Sequence, residues 1–217
     1  MLESLRSDWT VMEVFLTERM LPAIEDVPIH CPVTMVSTRE MERISMLTTP
    51  PEILALVEQK TFAANDLRID LPLLVLDDIR DPGNLGTIIR TADWFGFEQI
   101  LCSPTCVELT NPKVIQATMG SVFRMPIAYT DLESFLQASK ASGRAIYGAL
   151  LEGENLFKKE KSSDSIIVIG SESHGIRSAV LPFITHPITI PRAEGSVTES
   201  LNASMAAGII LAFFAMN

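Results

Sequence analysis

From residue 71 onward, apolar runs alternate with amphipathic stretches. Residues 71–76 form a continuous apolar run, as a strand buried on both faces does. Asp81-Pro82-Gly83-Asn84 then reads as a turn, and the pattern predicts a helix from about residue 85 to residue 95, with Gly96 placed as its C-cap. Residues 99–103 predict the next strand. Thr130 and Glu133 have the spacing of a capping box and open a predicted helix that stops near Gly143. Residues 144–150, 165–170 and 187–191 predict three further strands, and Ser200 is placed as the N-cap of a last helix. Strands that alternate with helices in this way imply a mostly parallel α/β sheet.

The first 65 residues follow no such rhythm. Pro22, Pro28, Pro32, Pro50 and Pro51 interrupt them. Residues 33–36 and 53–57 are strand candidates, 38–44 predict one short helix, and 61–70 read as a linker. The block is small for an independent core. The predicted division is 1–66 and 67–217.

Composition narrows the function classes. Of 217 residues, 47% are apolar and 20% charged, an ordinary globular balance. The net charge of −10 argues against indiscriminate nucleic-acid binding, which needs clustered Lys and Arg, although a local basic face is compatible with it. Cys31, Cys102 and Cys106 are a sparse, odd set that suits a reducing compartment. Cys102 and Cys106 lack the two-residue spacing of zinc ligands, so free thiols and no metal are expected. The opening stretch, with Glu3, Arg6 and Asp8, is no basic-then-apolar leader. The apolar run 203–216 falls short of the roughly 20 residues of a bilayer span, so a cytoplasmic protein with no membrane association is expected.

In open parallel sheets ligands bind beyond the carboxyl ends of the strands, and three such ends carry unusual residues. The first is Asp81-Pro82-Gly83-Asn84-Leu85-Gly86, followed by Arg90; Gly86 permits close approach of another backbone. The second is Gly170-Ser171-Glu172-Ser173-His174-Gly175, which is neither the dinucleotide fingerprint nor a P-loop. The third runs from Ile190-Pro191 to Ser200-Leu201-Asn202-Ala203-Ser204, where polar groups open an otherwise apolar helix and need partners.

Taken together and in this order, the three stretches resemble the motifs of the TrmH (SpoU) family of RNA ribose 2′-O-methyltransferases, in the SPOUT superfamily. The resemblance covers residues 71–217. It implies a parallel sheet flanked by helices with a C-terminal trefoil knot, and a homodimer formed through the knot region and the last helix. The implied cofactor is S-adenosylmethionine, held in the knot at Leu150, Leu151, Gly170, Ile190 and Leu201. Asn84, Arg90, Glu172, Ser200 and Asn202 fall on the family's catalytic and substrate positions. The implied partner is RNA, with ribosomal RNA ahead of transfer RNA; a protein that kept the fold and lost catalysis is the competing reading.

Two positions depart from the family pattern. Ser173 stands where Gly is frequent, and Gln116 where Arg is common. The N-terminal block resembles the end of a small ribosomal-protein-like α/β domain that binds RNA, without its Lys- and Arg-rich first part. Either the native chain starts upstream of Met1, which is the expectation, or the domain is shortened.

Overall fold

A computed structural model describes residues 2–162 and 164–215. They fall into two compact units, Met1–Lys60 and Thr61–Asn217.

The smaller unit is built on three strands, β1 (Val11–Leu16), β2 (Val33–Met35) and β3 (Ile53–Val57), in the order β2-β1-β3. β1 is parallel to β2 and antiparallel to β3. The short helices are α1 (Leu2–Leu5), α2 (Leu21–Ile24) and α3 (Thr38–Ile44). A capping box closes the start of α3: Glu40 N–H donates to Ser37 Oγ and Ser37 N–H to Glu40 Oε2. The core is small, with Val14, Leu16 and Ile24 buried at its centre. The sequence pattern marks β2, α3 and β3 but not β1.

The larger unit carries six parallel strands: β4 (Leu73–Asp77), β5 (Ile100–Cys102), β6 (Ile127–Tyr129), β7 (Ile146–Asn155), β8 (Ile166–Gly170) and β9 (His186–Thr189). Their order is β6-β5-β4-β8-β7-β9, and every pair is parallel. Every residue of the central strands β4 and β8 is buried. Four helices accompany the sheet: α4 (Pro82–Trp94), α5 (Pro112–Thr118), α6 (Leu132–Ala141) and α7 (Ala203–Ala215). Hydrophobic burial supplies the driving force, at about 1.5–3 kcal/mol for each fully buried aliphatic side chain such as Leu74, Ile88 and Ile167. Gly86 is where α4 meets α5: a Cβ there would lie 2.5 Å from Ala117 Cβ.

Several local expectations are corrected. Helix α4 starts at Pro82, earlier than predicted, because Asp81 caps it by accepting Asn84 N–H (2.7 Å). Asp131, not Thr130, caps α6, with Ser134 N–H as donor. Asn202, not Ser200, caps α7; its Oδ1 accepts from Ser204 N–H (3.0 Å) and Ser204 Oγ (2.6 Å). The stretch 61–70 is no free linker, since Phe62 bridges to Ala128, Leu67 is buried, and Gln99 bonds the backbone of Arg68 on both sides. Helix α5 and strand β6 lie outside the predicted set. Among the described residues, no helix is long and apolar enough to cross a membrane.

Candidate active site

The chain runs from β4 to β5 and β6 on one side of β4, then crosses to β7 and returns to place β8 directly against β4. That reversal makes the carboxyl ends of β4 and β8 a topological switch point, where open α/β sheets leave a crevice. A cavity of about 460 Å³ opens there, lined among others by Asp78, Arg80, Asn84, Glu172, Ser200 and Ala203.

Three elements converge on it. Asn84 sits in the first turn of α4, Glu172 in the loop after β8, and Asn202 at the cap of α7. Asn202 Nδ2 donates to Asn84 Oδ1 (3.0 Å) and to Glu172 Oε2 (2.9 Å), and Asn84 Nδ2 approaches the same carboxylate oxygen at 3.5 Å. Residues 84, 172 and 202 thus form one hydrogen-bonded group, although they are far apart along the chain. Ser200 lines the same cavity from the exposed segment before α7. Arg90 stands apart: it is exposed on α4, does not line the cavity, and its guanidinium makes no hydrogen bond or ion pair among the described residues.

A second grouping lies along the neighbouring strand ends. The register pairs Gly148 with Val168 and Ala149 with Ile188, so Leu150 on β7, Gly170 at the end of β8 and Ile190 just past the end of β9 stand at nearly one level. Thr189 Oγ1 donates to the Leu151 carbonyl (3.1 Å) and ties two of these ends together. The chain after Gly170 curls back so tightly that a Cβ on residue 170 would lie 2.1 Å from Gly175 C. Leu151 and Leu201 leave 73% and 46% of their surfaces exposed.

Behind the cleft lie groups that the motif reading does not mark. Asp77 ends β4 fully buried and accepts from both Arg177 N–H (2.8 Å) and Arg177 Nε (2.6 Å). Asp78, 4% exposed, has a left-handed backbone with φ of 60°. Burial pushes its carboxyl up, but hydrogen bonds from Thr105 and Arg80 outweigh this and hold it below the usual range. Cys106 Sγ accepts Ile79 N–H (3.3 Å). Its thiol is lowered to about 7, chiefly by a hydrogen bond from Cys102 acting against burial. Positive φ at an Asp and a pairing across 100 positions leave no signature in sequence spacing. Cys31, Cys102 and Cys106 carry free thiols, and the described residues hold no cluster of His, Cys, Asp and Glu arranged for a metal.

Comparison with known proteins gives a consistent result. The model of the SpoU rRNA Methylase family matches residues 72–212. The chain is 29% identical over 214 residues to the 23S rRNA (guanosine(2553)-2′-O)-methyltransferase RlmP of Bacillus subtilis, covering 96% of this chain and 82% of that one. Other curated relatives are longer, and the chain spans 50% and 36% of two of them. Among solved structures, a TrmH-family protein from Porphyromonas gingivalis superposes with a TM-score of 0.82 at 32% identity, covering 98% of this chain and 84% of that one. The AdoMet-bound rRNA methyltransferase from Sinorhizobium meliloti gives 0.84 at 27% identity, covering 97% and 82%.

Proposed function

The chain belongs to the SpoU rRNA methylase family, and from that premise we propose that it transfers the methyl group of S-adenosylmethionine to a ribose 2′-hydroxyl of RNA, with ribosomal RNA as the substrate. The observation that carries the reading is the hydrogen-bonded group of Asn84, Glu172 and Asn202 at the switch point. Incubating the protein with labelled S-adenosylmethionine and unmodified ribosomal or transfer RNA tests it. Label retained as 2′-O-methyl nucleotide in ribosomal RNA is expected, and label in neither RNA would refute it.

In this reading the strand-end residues would hold the cofactor. A close-packed Gly170, strand-end backbone groups at residues 150, 151 and 190, and the exposed side chains of Leu151 and Leu201 offer hydrogen bonds beside an apolar wall. When bound, S-adenosylmethionine supplies an activated sulfonium methyl group, so the protein's main task is alignment. Gly170→Ala drives a Cβ into the Gly175 backbone and is expected to weaken cofactor binding by about tenfold to a hundredfold, given the usual cost of overpacking. Affinity within twofold of the parent by titration calorimetry would remove Gly170 from the site.

In the cleft, Asn202 spends its carbonyl on the cap of α7 and its amide on the other two side chains, so it fixes their positions. Asn84 keeps an amide hydrogen for the ribose, and Glu172 keeps its second carboxylate oxygen as acceptor for the 2′-hydroxyl, beside Ser200. A guanidinium remains protonated at all working pH values and acts only as a donor. Arg90 therefore serves to hold phosphate and to stabilise the charge that develops on the attacking oxygen.

Because Arg90 lies outside the cleft of its own chain, this reading includes a homodimer that presents it to a partner. The outer surfaces of α4 and α7 suit that contact: Trp94 and Met205 expose 84% and 63% of their area, where polar residues would be expected on a monomer. Met205→Glu is expected to yield a monomer in sedimentation equilibrium with its circular dichroism unchanged and its transfer activity lost. A dimer that persists in this variant would place the interface elsewhere. The reading also includes the trefoil knot, supported by the return of α7 from the edge strand β9 to α4, and an RNA-binding role for residues 1–66 preceding a catalytic part at 67–217. It places the enzyme in the cytoplasm.

A further inference from the structure

The cleft has one feature that the catalytic reading leaves unused. Among the described side chains that line it, Asp78, Asp81 and Glu172 are acidic, and Arg80 is the only cation. In a chain of net charge −10, a polyanion gains little from general attraction here. A phosphate near this cleft needs a particular, well-held cation.

Arg80 is held in that manner. Its Nε donates to Asp78 Oδ1 at 2.9 Å, while its terminal nitrogens make no hydrogen bond among the described residues and 73% of the side chain is exposed. An exposed Arg–Asp pair is ordinarily worth little and is free to wander. This one differs because the carboxylate end is buried. The Asp78 side chain is 6% exposed, and its backbone takes φ of 60°, a strained choice for a residue with a Cβ. That conformation is secured from behind: Asp78 N–H donates to Ser103 Oγ (2.9 Å), which also contacts Thr105 Oγ1 (3.0 Å). The chain thus spends an unfavourable backbone and two hydroxyl contacts to point a buried carboxylate at the inner edge of a surface guanidinium. The fork of that guanidinium is left facing outward.

We propose that Arg80 binds a backbone phosphate of the RNA strand adjacent to the target ribose, through its two terminal amino groups, and that Asp78 and Ser103 are positioning residues that fix its direction. The inference rests on the RNA methyltransferase reading. A planar, pre-oriented fork matches the non-bridging oxygens of a phosphate, and a fixed Nε removes most of the ordering cost.

The test uses the full chain and an unmodified ribosomal RNA transcript that the parent protein methylates. Arg80→Gln is expected to raise KM for the transcript about tenfold, to lower kcat by less than about threefold, and to reduce the slope of log Kd against log salt by about one. Cofactor affinity by calorimetry stays within twofold. Arg80→Lys is expected to keep the salt slope and recover only part of the KM, because it lacks the fork. Asp78→Gly permits the left-handed turn but removes the carboxylate; a KM two- to fourfold above the parent, with cofactor affinity unchanged, is expected. Unchanged KM and salt slope in Arg80→Gln overturn the proposal while leaving the methyltransferase reading intact. Equal losses of RNA and cofactor affinity in Asp78→Gly would show a general structural role and overturn the positioning claim. A parent protein that methylates neither ribosomal nor transfer RNA overturns both readings.

Discussion

Arg177→Ala is expected to destabilise the larger unit by about 3–5 kcal/mol, the usual cost of removing one partner from a buried ion pair. Asp77 is fully buried at the end of β4, and its two oxygens are satisfied by the backbone N–H and the Nε of Arg177. Without the guanidinium, a carboxylate stays in the interior with a single backbone donor. At about 2–4 °C per kcal/mol for a unit of this size, the melting temperature falls by about 10 °C. Asp77→Asn in the Arg177→Ala background is expected to return part of the loss, because no charge is then left buried without a partner. Differential scanning calorimetry checks both. A shift under about 2 °C for Arg177→Ala would show that the pair contributes nothing to the fold. The substitution also loosens the chain between Gly170 and Arg177, so cofactor affinity falls together with stability.

That pair shows why some of this molecule was legible from sequence and some was not. Strands β4 and β8 are buried on both faces, and each announces itself as an unbroken apolar run. The turns after them hold Asn84 and Glu172, and the opening of the last helix holds Asn202; motif order drew attention to all three. Their shared hydrogen bonds depend on how three elements meet, which spacing does not encode. Asp77 and Arg177 are adjacent only because β8 returns beside β4, a crossover that no local pattern reveals. Local signals also misled where two registers fit equally well. Thr130 with Glu133 and Asp131 with Ser134 have the same spacing, and Asp131, the stronger capping type, takes the cap. Ser200 is a good capping type, but Asn202 stands nearer the helix and accepts from Ser204 and Met205. Helix α5 buries only Val114 and Thr118, too few positions to show a period, and β6 has three residues. Strand β1 carries Glu13 in its middle, where Thr34 Oγ1 donates to it, and so breaks the apolar run that would have marked it.

Asn202→Asp separates the two tasks of the residue at the centre of the cleft, and a large loss of activity is expected there. Asp is as good a helix cap as Asn, so acceptance from Ser204 and Met205 survives and the melting temperature moves little. The Nδ2 that donates to Asn84 and Glu172 is gone, and a second carboxylate faces Glu172 where the native contact is 2.9 Å. Like charges so close push the two side chains apart and turn Asn84 away from the ribose. Transfer is expected to fall by about 10²–10³-fold, comparable with losing one preorganised donor at a reacting centre. The pH dependence identifies the cause. Two facing carboxylates raise the apparent pKa of the pair, and a shared proton restores a hydrogen bond across the gap. The rate of the variant relative to the parent should therefore rise as the pH is lowered from about 8 towards 6, the direction in which a carboxylate pair takes up its proton. Single-turnover rates across that range decide the matter. A relative rate that is flat with pH, or that falls on acidification, would place the defect outside the Asn84–Glu172–Asn202 group.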